Sequence, residues 1–453
     1  MTSATKELTA LLNGDVMGSL IQTAHGQVEF TYDDTWRRQP TPTPLSLSMP
    51  TSVKTHENKM VFPFLDGLLP DNDAVRARWR SEFEVRSRHP FALLRYVGAD
   101  VAGGVQFVFP QQVEQLHSRG SVEWLSESQI AGWLRTLARD PSAWHLAATG
   151  GQFSLGGAQA KIALLHDGDM WGRPSGVIPT THILKPAIPG HEFHYLNEHL
   201  CLRIARALSL PAPESEVREF DGVPVVVVTR YDRLATDSGW SRLHQEDICQ
   251  ALGVGRDRKY QRFGGPGPKV IVDLLKNEGT AQDVERNIAS FIDYLAFQWL
   301  IGGTDAHAKN YSVLLSGPRV RLAPLYDIAS GLPLSAAGDL HFEGIRMAMS
   351  IGGTYGIAAV TGSRWIRFAQ EAGLEAEQVL TRVERLVDEF PDVVAQERQA
   401  LAAIEMAPGF IGDLSERLLT HGERCRSLLR LKQNPDEDLA APEERTGLGV
   451  SSP

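Results

Sequence analysis

Cysteine is scarce in this chain, which carries three among 453 residues. Cys201, Cys249 and Cys425 are scattered, their number is odd, and no spacing between them matches a metal-ligand pattern. A disulfide framework and a cysteine-based zinc site are therefore not expected. This cysteine usage fits the reducing environment of the cytoplasm.

Long hydrophobic runs and an excess of positive charge are also missing. No stretch approaches the ~18 consecutive apolar residues of a membrane span, and the opening MTSATKELTALLNGD lacks the basic and apolar regions of a signal peptide. The formal net charge is −10 and the isoelectric point about 5.8, so the chain as a whole does not attract nucleic acid. We expect a cytoplasmic protein without a membrane partner, whose contacts with DNA or RNA depend on another protein.

The chain does contain enough apolar sequence for a large core. Apolar residues make up 42% and charged residues 22%, and at roughly 150 residues per domain two or three units are expected. Residues 1–110 have the patterns of a small α+β unit. Residues 111–232 begin with a polar, helical connector up to about residue 150 and continue with a Gly-rich turn, strands and a helix. Residues 233–432 are mainly helical, and residues 433–453 lack apolar content and are predicted to be disordered.

Local patterns predict individual elements within these units. Asn13-Gly14 between two apolar runs predicts a β-hairpin, and the stripe of Val75, Trp79 and Phe83 predicts one helix over residues 74–97. Further helices are predicted from Ser126 onward, over 191–210 and over 284–301, and further strands at 27–32, at 161–165, at 181–186 and from Val223 onward.

One polar stretch stands where apolar core sequence would be expected. GGTDAHAKNYSV follows the apolar run DYLAFQWLI and brings Asp305, His307, Lys309 and Asn310 within six residues. Asp327 ends the apolar run in LAPLYDIAS. Phosphoryl transfer uses one carboxylate to orient the attacking hydroxyl and take its proton, and an amide with a second carboxylate to hold Mg²⁺ against the phosphates. The alternative is a solvated loop with an Asp cap, which D-x-x-x-x-N alone does not exclude.

Three further features precede this loop in the order found in protein kinases. GGQFSLGGAQAK supplies glycines that let backbone N–H groups approach phosphate oxygens, Lys185 ends an apolar strand, and VVVVTRYDR is a strand followed by a hinge-like loop. Glu198, on the following helix, is a candidate partner of Lys185. Taken singly, these features favour a hairpin turn, a solvent-exposed lysine and a buried strand end. Their order, continued by Asp305 and Asp327, favours a kinase.

The sequence resembles the HipA family in several motifs: PLSLSMP, FLDGLLPD, GGAQAKIALL, PTTHILK, QEDICQALG, KYQ, GGPG, FQWLIGGTDAHAKNYSV and LYDI. This family comprises the kinase toxins of bacterial HipBA toxin–antitoxin modules. The resemblance implies an α+β fold, with a two-lobed body like that of protein kinases, an extra small N-terminal α/β subdomain and a mainly helical C-lobe. On this basis, 1–110 is the N-terminal subdomain, 111–232 the connector and kinase N-lobe, and 233–432 the C-lobe with the catalytic and metal-binding loops.

The resemblance also implies roles for residues at matching positions. Asp305 is the expected catalytic base, and Ser154 is the expected site of autophosphorylation. Mg²⁺ is expected to bind Asn310 and Asp327. The residues expected around ATP are Gly156, Gly157, Ala158, Gln159, Ala160, Lys161, Lys185, Thr229, Arg230, Tyr231, His307, Ala308, Lys309, Asn310, Tyr326 and Asp327. Thr229 stands where the family usually has glutamate, with little expected effect because the hinge contact is made by the main chain.

The implied function is that of an ATP- and Mg²⁺-dependent serine/threonine kinase toxin. Its implied target is an aminoacyl-tRNA synthetase, with glutamyl-tRNA synthetase as the leading candidate, and its implied partner is a small HipB-like helix-turn-helix antitoxin that provides most of the contact with operator DNA. The sequence departs from the family in two places. The segment between Lys185 and LNEHL is short, so the identity of the protein substrate stays open. Glu371 and Leu374 stand where a basic contact with DNA is expected. A DNA-binding co-repressor with a vestigial kinase site and a small-molecule kinase are the alternatives.

Overall fold

The computed structural model describes residues 6–23, 25–114, 120–144, 153–237, 239–333, 342–402 and 407–432. The tail at 433–453, for which disorder is predicted, lies outside the described residues, and so do parts of the connector and residues 150–152 of the glycine-rich stretch. No helix within the described ranges combines the length and the apolarity needed to cross a membrane.

The first unit is built on an antiparallel sheet that starts with the predicted hairpin. Asn13 and Gly14 have φ angles of 51° and 93°, the left-handed backbone that a tight two-residue turn needs. The sheet order is β4-β3-β2-β1-β6. The strands are β1 Lys6–Leu12, β2 Asp15–Gln22, β3 Val28–Tyr32, β4 Thr55–His56, β5 Asp100–Val101 and β6 Val105–Val108. The helices are α1 Asp34–Arg37, α2 Asn58–Gly67, α3 Asp73–Glu82 and α4 Pro90–Val97.

The prediction of one helix over residues 74–97 is wrong, because α3 and α4 are separate. Glu84, with a φ of 53°, turns the chain directly after α3. Pro90 is at the start of α4, where its missing N–H costs nothing, whereas inside a continuous helix it would break the backbone hydrogen bonding. Trp79 on α3 is buried as the apolar stripe predicts.

The second unit consists, in the residues that the structure describes, of a six-stranded antiparallel sheet with two long helices. Helix α5, Glu127–Arg139, begins as predicted because Ser126 accepts the Gln129 N–H and the Gln129 side chain accepts the Ser126 N–H. The sheet order is β12-β13-β11-β9-β10-β7. The strands are β7 Ser121–Leu125, β8 Phe153–Ser154, β9 Ile162–Asp167, β10 Met170–Ser175, β11 His182–Pro186, β12 Ser215–Phe220 and β13 Val223–Thr229, and the second helix is α6 His194–Ala207. Strand β8 lies outside this sheet and pairs in parallel with β5. Strands β7, β10 and β12 are additional to those predicted.

The third unit is mainly helical, as predicted. Helix α9, Ala281–Leu300, buries Phe291, Leu295 and Trp299 and leads directly into the loop that carries Asp305. The other helices are α7 Ile248–Ala251, α8 Pro268–Asn277, α10 Gly362–Glu371, α11 Ala376–Ala402 and α12 Pro408–Leu429. Small sheets are formed by β14 Arg233–Thr236, β15 Gly239–Arg242, β16 His244–Asp247, β17 Ser312–Ser316, β18 Arg319–Leu322, β19 Arg346–Ile351 and β20 Thr354–Gly356.

A buried group of charges joins the first unit to the chain that links the other two. We call it the hinge cluster, and it consists of Asp100 on β5 with Arg230, Asp232, Arg233 and Arg242, all buried. Asp100 pairs with Arg233 at 2.7 Å, and Asp232 pairs with Arg230 at 2.8 Å. The first unit is thereby attached to the hinge segment that follows β13.

Candidate active site

A cleft of about 740 Å³ opens where the three units meet. Its walls come from the glycine-rich stretch, the ends of β11 and β13, the loop after α9 and the turn between α2 and α3. Every residue expected around ATP lines it except Ala160 and Ala308. Ala160 packs instead against the apolar core shared by the first two units, and Ala308 is fully buried in the core that the third unit shares with α6 and β13. Those two side chains serve packing and not the cleft.

Lys185 lies in the cleft between two carboxylates. Its Nζ donates to Glu198 Oε1 on α6 at 2.5 Å and to Asp327 Oδ1 at 2.7 Å. Burial alone would lower the pKa of Lys185, but Asp327 and Glu198 outweigh this effect and raise the pKa above its ordinary value. The predicted pairing of Lys185 with Glu198 is confirmed.

Asp327 is an ionised carboxylate in a strained position. Its φ is 55°, which is uncommon for a residue other than glycine. Burial would raise the pKa of Asp327, but the charges of Lys185 and Lys161 outweigh burial and hold the pKa well below its ordinary value. The cleft therefore contains a permanent negative charge at neutral pH.

The loop after α9 brings Asp305 and Asn310 together. Asn310 Nδ2 donates to the Asp305 carbonyl oxygen at 2.7 Å, and the Tyr260 hydroxyl donates to Asp305 Oδ1 at 2.5 Å. The Asp305 side chain is 64% exposed, and its exposed surface faces the cleft. The protein that surrounds the cleft nevertheless desolvates the carboxyl group, which raises the pKa of Asp305 above its ordinary value. His307 beside it is buried, which lowers the pKa of His307 to about 3 and keeps the imidazole neutral.

Lys309 contacts the first unit. Lys309 Nζ donates to Asp71 Oδ1 and Lys259 Nζ donates to Asp71 Oδ2, each at 2.8 Å. Burial would raise the pKa of Asp71, but the two ammonium groups outweigh burial and hold it well below its ordinary value. Lys309, expected at the nucleotide, is thus paired with a carboxylate of the first unit at the edge of the cleft.

The glycine-rich stretch is held between the first two units. Gly157 has a φ of 96°, and a Cβ there would lie 2.9 Å from Lys161 Nζ, so this position requires glycine. Lys161 Nζ donates to the Gly156 carbonyl at 2.9 Å, and burial lowers the pKa of Lys161 to about 8. Ser154 is not a turn residue: it is fully buried in β8, and its Oγ donates to the Leu68 carbonyl at 2.8 Å.

The hinge segment contributes an aromatic wall. The Thr229 N–H donates to Glu214 and the Arg230 N–H to Thr181, so a main-chain N–H donor to a base is expected from Tyr231 and not from Thr229. The Arg230 guanidinium belongs to the hinge cluster and is not directed at a nucleotide. The rings of Tyr231 and Tyr326 lie 5.6 Å apart, a spacing at which two aromatic rings pack against each other.

Two oxygen groups in the cleft fit Mg²⁺. Asp327 is ionised, and the amide of Asn310 is oriented by its Nδ2 bond to the main chain, which leaves its Oδ1 as an acceptor. Mg²⁺ needs only one or two protein carboxylates beside phosphates and water. A larger cluster of ligands is not required. In the part of the chain that the structure describes, no group of three or more His, Cys, Asp or Glu side chains is placed to hold a metal ion.

The roles of Asp71 and Tyr260 do not follow from the sequence alone. Both lie in motifs of the family resemblance, FLDGLLPD and KYQ. No local pattern, however, predicts that Asp71 contacts a residue 238 positions later, or that Tyr260 contacts one 45 positions later. The two motifs indicate that these residues matter to the family, and the folded chain shows which residues they contact.

Two family models match the chain: the HipA N-terminal domain over residues 8–108 and the HipA-like C-terminal domain over residues 153–394. Y4mE of Sinorhizobium fredii, a protein named as a kinase, is 35% identical over 85% of this chain and 90% of its own length. The serine/threonine-protein kinase toxin HipA of Shewanella oneidensis is 27% identical over 84% of this chain and 87% of its own length.

A solved structure shares the fold. A chain in the complex of HipA, HipB and operator DNA from Shewanella oneidensis superposes with a TM-score of 0.79 at 22% identity, covering 94% of this chain and 99% of that one. The likeness confirms the predicted α+β, two-lobed architecture. With the C-terminal family model spanning more than half of the sequence, the chain belongs to the HipA family and is a serine/threonine kinase of the HipA type.

Proposed function

We propose that this kinase is the toxin of a type II toxin–antitoxin module and transfers the γ-phosphoryl group of ATP, with Mg²⁺, to a hydroxyl of a target protein. The observation that carries the proposal is the convergence of Lys185, Asp305, Asn310 and Asp327 in one cleft. Each buried charge has a cost in folding free energy, so a vestigial site would have little reason to keep a lysine between two carboxylates. This argues against the co-repressor alternative.

The geometry supports a direct transfer. Asp305 would accept the proton of the acceptor hydroxyl while the hydroxyl oxygen bonds to the γ-phosphorus. The bond from that phosphorus to the β–γ bridging oxygen would break at the same time, which releases ADP. Lys185, steadied by Glu198, would hold phosphate oxygens. Asn310 and Asp327 would hold Mg²⁺, which when bound supplies neutralisation of phosphate charge.

For the target we propose an aminoacyl-tRNA synthetase, with glutamyl-tRNA synthetase as the leading candidate. The support is the resemblance of the cleft motifs to those of HipA toxins, and phosphorylation of a synthetase would reduce the supply of charged tRNA and arrest growth. The short segment between Lys185 and LNEHL leaves room for another synthetase.

As partner we propose a HipB-like helix-turn-helix antitoxin, which would contact operator DNA on behalf of the complex. Support comes from the Shewanella oneidensis relative, whose solved complex contains HipB and operator DNA. Glu371 and Leu374 offer no basic contact, since Glu371 is bonded to Arg367 at 2.8 Å and Leu374 packs on the core of the third unit. Operator DNA is therefore assigned mainly to the antitoxin.

Autophosphorylation of Ser154 is proposed as the brake on this activity. A phosphate adds about −1.5 to −2 charges at neutral pH, and the buried position of Ser154 beneath Leu68 has no room for it. The modified stretch would have to leave its place between the first two units. Gly156 and Gly157 would then no longer lie over the cleft, and nucleotide binding would be lost.

Asp305→Asn tests the proposal. Wild type and variant are incubated with Mg²⁺ and γ-labelled ATP, alone and in cell lysate, and analysed by intact mass and phosphoproteomics. Wild type should label a synthetase and gain one phosphate of about 80 Da on Ser154. The variant should do neither and should not arrest growth, because an amide cannot accept the hydroxyl proton.

The control is the thermal unfolding midpoint, which should be equal in the variant and in wild type that carries no phosphate on Ser154. Labelling or growth arrest undiminished in the variant contradicts the kinase-toxin proposal. Label confined to small molecules would favour a small-molecule kinase, and an absence of ATP turnover in wild type would favour the co-repressor.

A further inference from the structure

We propose that the turn of residues 68–71 in the first unit, here called the LLPD turn, positions the glycine-rich stretch for ATP, and that Asp71 is the positioning residue that anchors this turn. The inference rests on the proposed nucleotide role of the stretch. It makes the first unit a working part of the kinase site.

The main chain of the LLPD turn holds the glycine-rich stretch on both sides of Gly156. Before it, Ser154 Oγ donates to the Leu68 carbonyl at 2.8 Å. After it, the Asp71 N–H donates to the Gly157 carbonyl at 2.8 Å. The pairing of β8 with β5 adds a third attachment of the stretch to the first unit. The position of the stretch over the cleft is therefore dictated by the turn.

The side chain of Asp71 fastens the same turn to the catalytic side of the cleft. Lys309, the residue before Asn310, and Lys259, next to Tyr260, both donate to its carboxylate at 2.8 Å. The Asp71 side chain is only 7% exposed, so these contacts are shielded from water and salt. One residue thus connects the two walls between which phosphates would lie.

The LLPD turn is itself stiff, so it can transmit position from one wall to the other. Arg76 on α3 is buried beneath it and donates to the carbonyls of Asp66 at 2.9 Å, Leu69 at 3.3 Å and Pro70 at 2.5 Å. Arg256, from the third unit, donates to the Asp71 carbonyl at 2.5 Å. A turn held by so many donors has little freedom to adjust when one anchor is lost.

Loss of the Asp71 charge should therefore detach the LLPD turn, with the glycine-rich stretch still bonded to it, from Lys309 and Lys259, without disturbing the chemistry at Asp305. Asparagine has the shape of aspartate but cannot neutralise two ammonium groups, so Lys309 and Lys259 would repel each other and part from the turn. The glycine-rich stretch would then move with the first unit and no longer be fixed over the phosphates. ATP affinity should fall while the rate of transfer from bound ATP is kept.

The test compares Asp71→Asn with Asp73→Asn in the full-length protein. Asp73 lies two residues away, its side chain is 83% exposed, and it pairs with Arg256 and not with the cleft lysines. In Asp71→Asn the KM for ATP should rise about ten-fold, the effect of one lost charge-assisted hydrogen bond, with kcat changed less than about two-fold. Amide hydrogen exchange at residues 153–157 should become faster. Asp73→Asn should behave as wild type.

Ser154→Ala loosens the stretch from its other side and keeps the test decisive if Asp71→Asn does not fold. Compared with wild type that carries no phosphate on Ser154, it should raise the KM for ATP about three-fold, as expected for one neutral hydrogen bond. An unchanged KM for ATP and unchanged amide exchange in both variants would overturn the inference. A fall in kcat alone in Asp71→Asn would also overturn it, because it would place Asp71 in the chemical step. A wild type that does not use ATP would overturn the proposed function, and this inference with it.

Discussion

At the scale of single residues, Asp327 combines an unusual backbone with the central ion pair of the cleft. Its left-handed φ of 55° is tolerated by aspartate and asparagine better than by other side chains. Asp327 has this left-handed backbone and at the same time pairs its carboxylate with Lys185. Backbone and charge together hold the oxygen atoms in one place, which a metal ligand requires.

Asp327→Asn should keep the backbone and remove the charge. Asparagine suits the same left-handed conformation, but it removes the carboxylate charge and would leave Mg²⁺ with neutral amide ligands alone, so we expect the affinity for Mg·ATP to fall by about 100-fold, or ~3 kcal/mol. Calorimetric titration measures it. Asp221→Asn is the matched control, since Asp221 also has a positive φ, 42°, but lies in a turn between β12 and β13. Unaltered Mg·ATP affinity in Asp327→Asn would remove Asp327 from the metal site.

Residues could be predicted where their partners follow a simple order along the chain. A strand-end lysine followed by a helix predicts Lys185 with Glu198, and the structure confirms it. Asp71 could not be predicted, because its role depends on Lys309 and Lys259, which approach it only in the folded chain. Arg230 shows the reverse case: its place beside the cleft was predicted, but its side chain serves the hinge cluster.

At the scale of elements, the two-residue strand β5 does more than its length suggests. It pairs with β8 and so positions Ser154, and its Asp100 enters the hinge cluster. Asp100 also accepts the Thr180 N–H at 3.0 Å and the Thr180 hydroxyl at 2.6 Å. A buried carboxylate with this many donors is the point at which the first unit is joined to the hinge.

Asp100→Asn should therefore destabilise the whole protein. It leaves the buried guanidinium of Arg233 with less compensation, and breaking one partner of a buried charge network costs about 3 kcal/mol. Urea denaturation should show a lower midpoint with an unchanged slope. Asp34→Asn, which removes an exposed pair with Lys54, should leave the midpoint where it is. Equal midpoints for Asp100→Asn and wild type would mean that the hinge cluster does not contribute to stability.

Elements could be predicted where their local pattern is strong and not where pairing alone creates them. Helix α9 and strand β13 have clear apolar patterns and were predicted. Strand β10 contains Gly172 and Pro174, which disfavour strands, and it exists because it pairs with β9 on one side and with β7 on the other. The partners in this pairing are some 50 residues apart, as Glu123 and Arg173 are. No local sequence pattern therefore predicts the strand.

At the scale of the whole molecule, a buried glutamate joins the first and third units. Glu246 on β16 accepts the Ser46 hydroxyl at 2.5 Å and the Leu47 N–H at 2.7 Å. Burial raises the pKa of Glu246 from 4.5 to about 8. The junction between the units is therefore sensitive to pH in the neutral range.

The contribution of Glu246 to the free energy of unfolding should fall as pH rises from about 5 to about 8. Over this range the folded protein keeps a proton on Glu246 that the unfolded chain releases near pH 4.5, so folding is progressively penalised. Glu246→Gln is neutral at every pH and should be stabilised relative to wild type by on the order of 3 kcal/mol more at pH 8 than at pH 5. Urea midpoints at the two pH values measure this difference. Glu216→Gln, at an exposed strand position, serves as control, and identical pH dependence of wild type and Glu246→Gln would contradict the assignment.

The active site is assembled from positions far apart in the sequence. Lys185 and Asp327 are separated by 142 positions and Asp71 and Lys309 by 238. A ribosome must therefore complete most of the chain before the whole cleft exists, and a nascent chain that stops short of Lys309 lacks both proposed metal residues and one of the two lysines that bind Asp71. Interrupted or prematurely terminated synthesis of this kinase consequently yields fragments without phosphoryl-transfer activity. Phosphoryl transfer is thereby confined to chains that have been translated beyond Asp327.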